Sequence, residues 1–240
     1  MSQIPTLKPL ERRRAFEEIL AQLEAAIESG HIGAGDRLPS ERDLAESLGV
    51  SRTSVREALR VLEGLGLVRV RPGAEHGATF LEEPANALPR LFGLLFALRH
   101  ISLASLIDFR ATLETSAAAT VARSGKTEIV ADLEAVVEQM REPDLDPVRF
   151  HELDADFHFR LVRGAGNEFA TLVLEGVRGA VAQVMLDAIV AAGNWEATHA
   201  RLVAEHAAIV AAFRSGRDVK AATLIERHIR GFYEQHLRAG

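Results

Sequence analysis

The sequence has no cysteine at any of its 240 positions. That excludes a disulfide framework and any thiolate metal site, and it leads us to expect a reducing cytoplasm as the setting. Aromatic residues make up only 5%, with one Trp and one Tyr. β-Branched runs are sparse after Leu81, so helices are expected there rather than a large sheet. No apolar stretch approaches the roughly 20 residues of a membrane span. No apolar run follows a basic start, so no secretory signal is expected. Positive charge is also short overall: the net charge is −6, which argues against general affinity for nucleic acid.

What is present is a core-forming 48% of hydrophobic residues and an informative stretch from Gly35 to Arg71. Leu44, Ala45 and Leu48 form one apolar face, and Gly49 suits the left-handed end of that helix. Leu38-Pro39 bars helical geometry at Leu38, and Ser40 then caps the helix with Asp43 three residues on. Ser51 caps a second helix that turns Val55, Ala58, Leu59 and Leu62 inward. Arg52, Thr53 and Arg56 face outward from its first turns. Gly66 to Arg71 reads as a strand, Pro72-Gly73 as a turn, and Ala78 to Leu81 as a returning strand. Such an arrangement is a winged helix-turn-helix, whose second helix enters the DNA major groove. Arg52, Arg56, Arg60, Arg69 and Arg71 stand against only Glu57 and Glu63 on this surface. A local basic face on an acidic protein suits specific DNA binding. The plainer alternative, a solvated charged helix, does not explain the turn and wing that accompany it.

The stretch resembles the DNA-binding domain of GntR-family transcription regulators. The matching residues are Gly35-Asp36-Arg37-Leu38-Pro39-Ser40-Glu41-Arg42, Leu44-Ala45, Val50-Ser51-Arg52-Thr53, Val55-Arg56-Glu57-Ala58-Leu59 and Gly66-Leu67. The resemblance implies DNA contact by Arg42, Ser51, Arg52, Thr53 and Arg56, with Gly73 in the wing. At the wing tip the family's glycine-rich turn is replaced by Pro72-Gly73-Ala74-Glu75-His76-Gly77.

Residues 1–10 read as an arm, and Phe16, Ile19, Leu20, Leu23 and Ile27 recur at helical spacing before Gly30. Glu82-Glu83-Pro84 breaks the pattern, so a DNA-binding domain over 1–81 and a second domain over 86–240 are expected. The second reads as an antiparallel bundle of about seven helices, punctuated by Gly125, Gly164, Gly166, Gly193 and Gly216. The expected fold class is mainly α with a small β-wing.

Inside that bundle the helical period points several polar side chains inward. His206 falls in the stripe Leu202, Ile209, Phe213, and His228 in the stripe Ala221, Leu224, Phe232. Asp154 and His158 are four apart beside the row Phe150, Leu153, Phe157, Leu161. A single inward histidine is most often a core residue bonded to a carbonyl. Three of them with an Asp–His pair favour a metal site. His151 lies on the same side and is a lesser candidate. Arg110 shares a stripe with Leu106, Leu113 and Ala117, and a buried guanidinium needs an anion. That anion is either a ligand carboxylate or a neighbour such as Glu114. His31, His76, His100, His199 and His236 read as surface residues.

Arg110 to Glu114, Asp154 to His158 with Ala165-Gly166-Asn167, Glu205-His206 and His228-Ile229 resemble the effector-binding FCD-type bundle of the FadR branch of that family. Its metal-binding members use an Asp, His, His, His set, which implies Asp154, His158, His206 and His228 as ligands of one divalent ion per chain. Zinc is the first choice, with nickel, iron or manganese compatible. The resemblance implies a homodimer on a palindromic operator, and repression relieved by a small organic acid held at the ion and Arg110. Met185 and Ile189 are candidate walls of that pocket. A metal-dependent enzyme with an accessory DNA-binding domain, a regulator with a purely structural metal, and an acyl-CoA sensor are the competing readings.

Overall fold

Two serine caps set the helix-turn-helix. Ser40 Oγ accepts from the Asp43 amide at 3.3 Å and donates to Asp43 Oδ2 at 2.7 Å, starting α2 (Glu41–Leu48). Gly49 ends α2 at φ 64°, a left-handed conformation that only glycine adopts at no steric cost. Ser51 Oγ then accepts from the Ser54 amide at 3.1 Å and starts α3 (Arg52–Gly64). Val55, Ala58, Leu59 and Leu62 of α3 are buried against Ile19 and Leu23 of α1 (Arg12–Glu28). Arg52, Thr53 and Arg56 are exposed.

This computed structural model describes residues 12–71, 77–82, 87–192 and 194–237. Among them are ten helices and a two-stranded sheet, so the chain is mainly α. No described helix is long and apolar enough to cross a membrane. Contacts divide the chain into two units, Met1–Ala87 and Leu88–Gly240.

In the first unit β1 (Val68–Val70) pairs antiparallel with β2 (Ala78–Phe80), and Val68 lies opposite Phe80. Arg37 bridges to Thr79 on the other side of β2, which ties the wing to the segment before α2. Gly77 allows this approach, because a Cβ there would lie 1.9 Å from the Leu38 carbonyl oxygen. Gly73 and the rest of 72–76 lie outside the described residues, as do Glu83 and Pro84 of the expected linker.

The second unit holds seven helices: α4 (Ala87–Ala97), α5 (Leu103–Ser124), α6 (Thr127–Met140), α7 (Pro147–Gly164), α8 (Glu168–Ala192), α9 (Trp195–Arg214) and α10 (Asp218–Leu237). Asp146 caps α7 by accepting from the Val148 and Arg149 amides at 2.9 and 3.0 Å, with Pro147 in the first turn. α5 packs on α10, α7 on α6 and α8, and α9 on α10 and α6. Phe150, Phe157, Leu161, Leu202, Ile209 and Ile225 are fully buried at the centre. The packing draws polar groups on α5, α7, α9 and α10 into one interior.

The wing gives a direct test. Gly77→Ala should force the wing off the Leu38 backbone and cost about 1–3 kcal/mol, as overpacking does. Urea denaturation and DNA binding of the full chain read this out. An unchanged variant would show that the close approach is not required.

Candidate metal centre

α7 carries Asp154 and His158 one turn apart, α9 carries His206 and α10 carries His228. All four side chains are buried, and one ligand atom from each lies within 4.8 Å of the others. His206 Nε2 is 3.3 Å from Asp154 Oδ1, while the Nε2 atoms of His158 and His228 are each 3.8 Å from it. His158 Nε2 and His228 Nε2 are 3.3 Å apart. The sequence pattern placed these four residues inward, and the structure brings them together.

The outer nitrogens explain why the inner ones face each other. His206 Nδ1 donates to the Leu202 carbonyl at 2.8 Å. A carbonyl only accepts, so Nδ1 carries the hydrogen and Nε2 holds a lone pair. His228 Nδ1 donates to Glu205 Oε2 at 2.7 Å, and His158 Nδ1 to Glu114 Oε2. Each imidazole is thereby oriented by an acceptor behind it, the arrangement that fixes metal-ligating histidines. Asp154 Oδ1 and His206 Nε2 consequently have no hydrogen-bond partner although both are buried. Two acceptors at 3.3 Å cannot satisfy each other. A shared cation can.

Electrostatics agree. Burial would lower the His228 imidazole, but Asp154 and Glu205 raise it to about 9. Burial would raise the Asp154 carboxyl, yet the imidazoles beside it hold it well below the usual carboxylate range. Burial, with His228 next to it, lowers His206. The carboxylates thus favour positive charge at His228, while His206 is held neutral. Its donor set, three imidazole nitrogens and one carboxylate, fits zinc, nickel, iron or manganese.

Arg110 is 4% exposed and sits beside the centre. Its Nε donates to Glu114 Oε1 at 2.8 Å and a terminal nitrogen to Tyr233 Oη at 3.3 Å. Glu114 is the anion that its burial required. Burial would raise the Glu114 carboxyl, but Arg110 and His158 bring it down to about 2. Glu114 thus serves Arg110 with one oxygen and His158 with the other. The sequence named Glu114 only as a partner of Arg110. Its bond to His158, 44 residues away, left no local signal, and neither did that of Glu205 to His228.

A cavity opens beside the centre, lined by Arg110, His151, Asp154 and His158 with Phe159 and Arg178. The space open to water centres is about 20 Å³. His151 is buried on α7 outside the four-atom cluster, and burial lowers its imidazole. The side chains of Met185 and Ile189 lie outside the described residues. His199, expected at the surface, is instead half-buried, with Nε2 on the Met140 carbonyl at 2.7 Å and its ring against Trp195 and Phe150. Met140 and Phe150 come from other helices, which local spacing did not reveal. His31 and His100 are exposed. His76 and the side chain of His236 lie outside the described residues.

In the first unit Arg42, Ser51, Arg52 and Thr53 are exposed with Arg56 along the N-terminal parts of α2 and α3. Arg56 makes a two-pronged ion pair with Glu41 of α2, at 3.0 and 2.7 Å to Oε2.

Comparison with known proteins places this geometry. The family model described as "Bacterial regulatory proteins, gntR family" matches residues 15–75, and the FCD domain model matches residues 105–231. The HTH-type transcriptional regulator Mce2R of Mycobacterium tuberculosis is 32% identical over 176 residues, 72% of this chain and 73% of that protein. The Glc operon transcriptional activator of Escherichia coli is 28% identical over 172 residues, 70% of this chain and 67% of that protein. The solved structure of Streptococcus agalactiae GntR shares the fold, with a TM-score of 0.65 at 23% identity, covering 93% of this chain and 99% of that one. The chain belongs to the GntR family of transcription regulators, with an FCD domain following the helix-turn-helix. Family and relatives are named as regulators, not enzymes.

Arg110→Ala would leave the Glu114 carboxylate buried without its cation. Breaking a buried pair from one side should cost about 3–5 kcal/mol. Urea unfolding of the full chain measures it. A loss below about 1 kcal/mol, the range of exposed pairs, would show that Glu114 finds other compensation.

Proposed function

We propose that this regulator senses a small organic acid through one divalent ion per chain, held by Asp154, His158, His206 and His228. The observation that carries this reading is the pair of buried atoms, Asp154 Oδ1 and His206 Nε2, that lie 3.3 Å apart and have no hydrogen-bond partner. Zinc is the first choice. A bound ion supplies an electrophilic seat for a carboxylate oxygen. The chain's own residues do the rest: Glu114, Glu205 and the Leu202 carbonyl orient the imidazoles, and the surrounding Phe150 and Phe157 exclude water. Asp154 and His158 also line the cavity, so an acid entering it reaches the ion. This favours a sensory ion over a purely structural one. Arg110 lines the same cavity and would share its charge between Glu114 and the acid.

On this reading residues 1–81 bind DNA, and residues 86–240 hold the ion, the effector and the dimer contact. The protein works in the cytoplasm as a homodimer on a palindromic operator, and the acid relieves repression. The activator name of the Escherichia coli relative makes the sign of regulation a quantity to measure. An acid can change DNA binding only by preferring one dimer arrangement over another.

Chelation should lower the melting temperature of purified protein, because the ion binds only the folded state. The drop should be smaller in a His206→Ala variant. Protein isolated without chelator that contains no metal, and whose melting is unchanged by chelator, would overturn the reading.

For DNA, Arg52 at the start of α3 is proposed to read a guanine edge, with Arg56 beside it and Arg42, Ser51, Thr53 and Gly73 on phosphate or neighbouring groups. Arg52→Ala should cost about 1–3 kcal/mol on operator and less on scrambled duplex. Equal losses on both would make Arg52 a phosphate contact.

A further inference from the structure

We infer that the cavity beside the metal centre takes an acid with two carboxylates, and that His151 and Arg178 hold the second one. The inference rests on the reading above, in which ion and effector share this cavity. Its walls come from three helices, with Arg110 on α5. α7 presents His151, Asp154, Ala155 and His158, and α8 presents Leu174 and Arg178 one turn apart. Asp154 and His158 are committed to the ion. His151 lies one turn before them along α7, about 4.5 Å away in rise. The cavity is therefore long enough to have two ends, a metal end and a His151 end.

The polar groups at the second end are under-used. His151 is 5% exposed, and its Nδ1 has no hydrogen-bond partner. An unpaired buried ring nitrogen is costly unless something pairs with it. Arg178 is half-buried, and among the described residues its ion pair is a 3.9 Å approach to Glu175. That is too long for a hydrogen bond. Arg110 differs, because its charge is matched by Glu114 and a second nitrogen is taken by Tyr233. The uncommitted cation of this cavity is therefore Arg178. A monocarboxylate seated at the ion would leave both His151 and Arg178 unpaired. A second carboxylate would accept from both, with the strength of a charge-assisted bond. The remaining lining residues, Ala155, Phe159 and Leu174, are apolar. They suit a short aliphatic spacer, and the small volume rules against a long chain.

The test uses the full-length, metal-loaded protein and three acids of four carbons: succinate, butyrate and 2-hydroxybutyrate. Calorimetry gives the affinities, and metal content is assayed beside them. Succinate should bind at least about tenfold tighter than butyrate, the worth of one bond to a charged group or more. Arg178→Met should bring succinate down to the level of butyrate, while leaving butyrate affinity and metal content unchanged. His151→Leu should weaken succinate by a similar factor and raise the melting temperature, since it removes an unpaired buried nitrogen. Saturable binding of all three acids with equal affinity, or a succinate preference that survives both substitutions, would overturn this inference and leave the effector reading intact. No saturable binding of any acid to protein that retains its metal would overturn both.

Discussion

The second unit depends on a set of acceptors that cannot satisfy one another. Asp154 Oδ1 and His206 Nε2 meet at 3.3 Å in a fully buried interior, with two further imidazole nitrogens at 3.8 Å. Each comes from a helix otherwise held by ordinary apolar packing, from Phe150 and Phe157 on α7 to Leu202 and Ile209 on α9 and Ile225 on α10. Packing alone would place a methyl group at each of these positions at lower cost, because unpaired buried acceptors are penalised. Their concentration at one point suits a cation, which would join α7, α9 and α10, and Glu114 extends the connection to α5.

Glu114 is what makes that connection two-sided. Its carboxylate divides between Arg110 one turn earlier on α5 and His158 on α7. Any ligand that changes what Arg110 or His158 touches must change how Glu114 is shared. The group is buried, so the exchange takes place where electrostatic interactions are strongest. This is a physical route by which occupancy of the cavity would reach α5. It needs no motion larger than a change of hydrogen-bond partner.

Much of this was legible in the residue order, and the part that was not has a common cause. The helix-turn-helix could be read because its signals are local: Ser40 with Asp43, Gly49, and Ser51 with Ser54 lie within one turn of what they cap. The inward aim of His206 and His228 could be read because the 3.6-residue period ties each to apolar neighbours on its own helix. Nothing local told which helices meet. The partners of His158 and His228, the half-buried seat of His199 on the Met140 carbonyl, and the approach of Gly77 to Leu38 all cross between elements. Arg110 shows the limit most plainly. Periodicity gave its burial, and its i,i+4 neighbour gave the candidate partner, but only packing decided that Glu114 takes the pair and turns its other oxygen to His158.

Two arginine–glutamate pairs in this chain have the same chemistry and opposite consequences. Arg110–Glu114 is buried, so removing either partner leaves an uncompensated charge in the core. Arg56–Glu41 lies at the surface of the helix-turn-helix, with the Arg56 side chain 48% exposed. In water such a pair is weak and screened by salt. It ties α3 to α2 through the planar guanidinium fork while leaving half of the Arg56 side chain open to solvent. Glu41 also keeps the pair neutral until DNA arrives, which tempers non-specific attraction on a surface that already carries Arg52 and Arg60. Burial, not residue identity, separates a pair fixed in the helical core from one that water and salt can loosen.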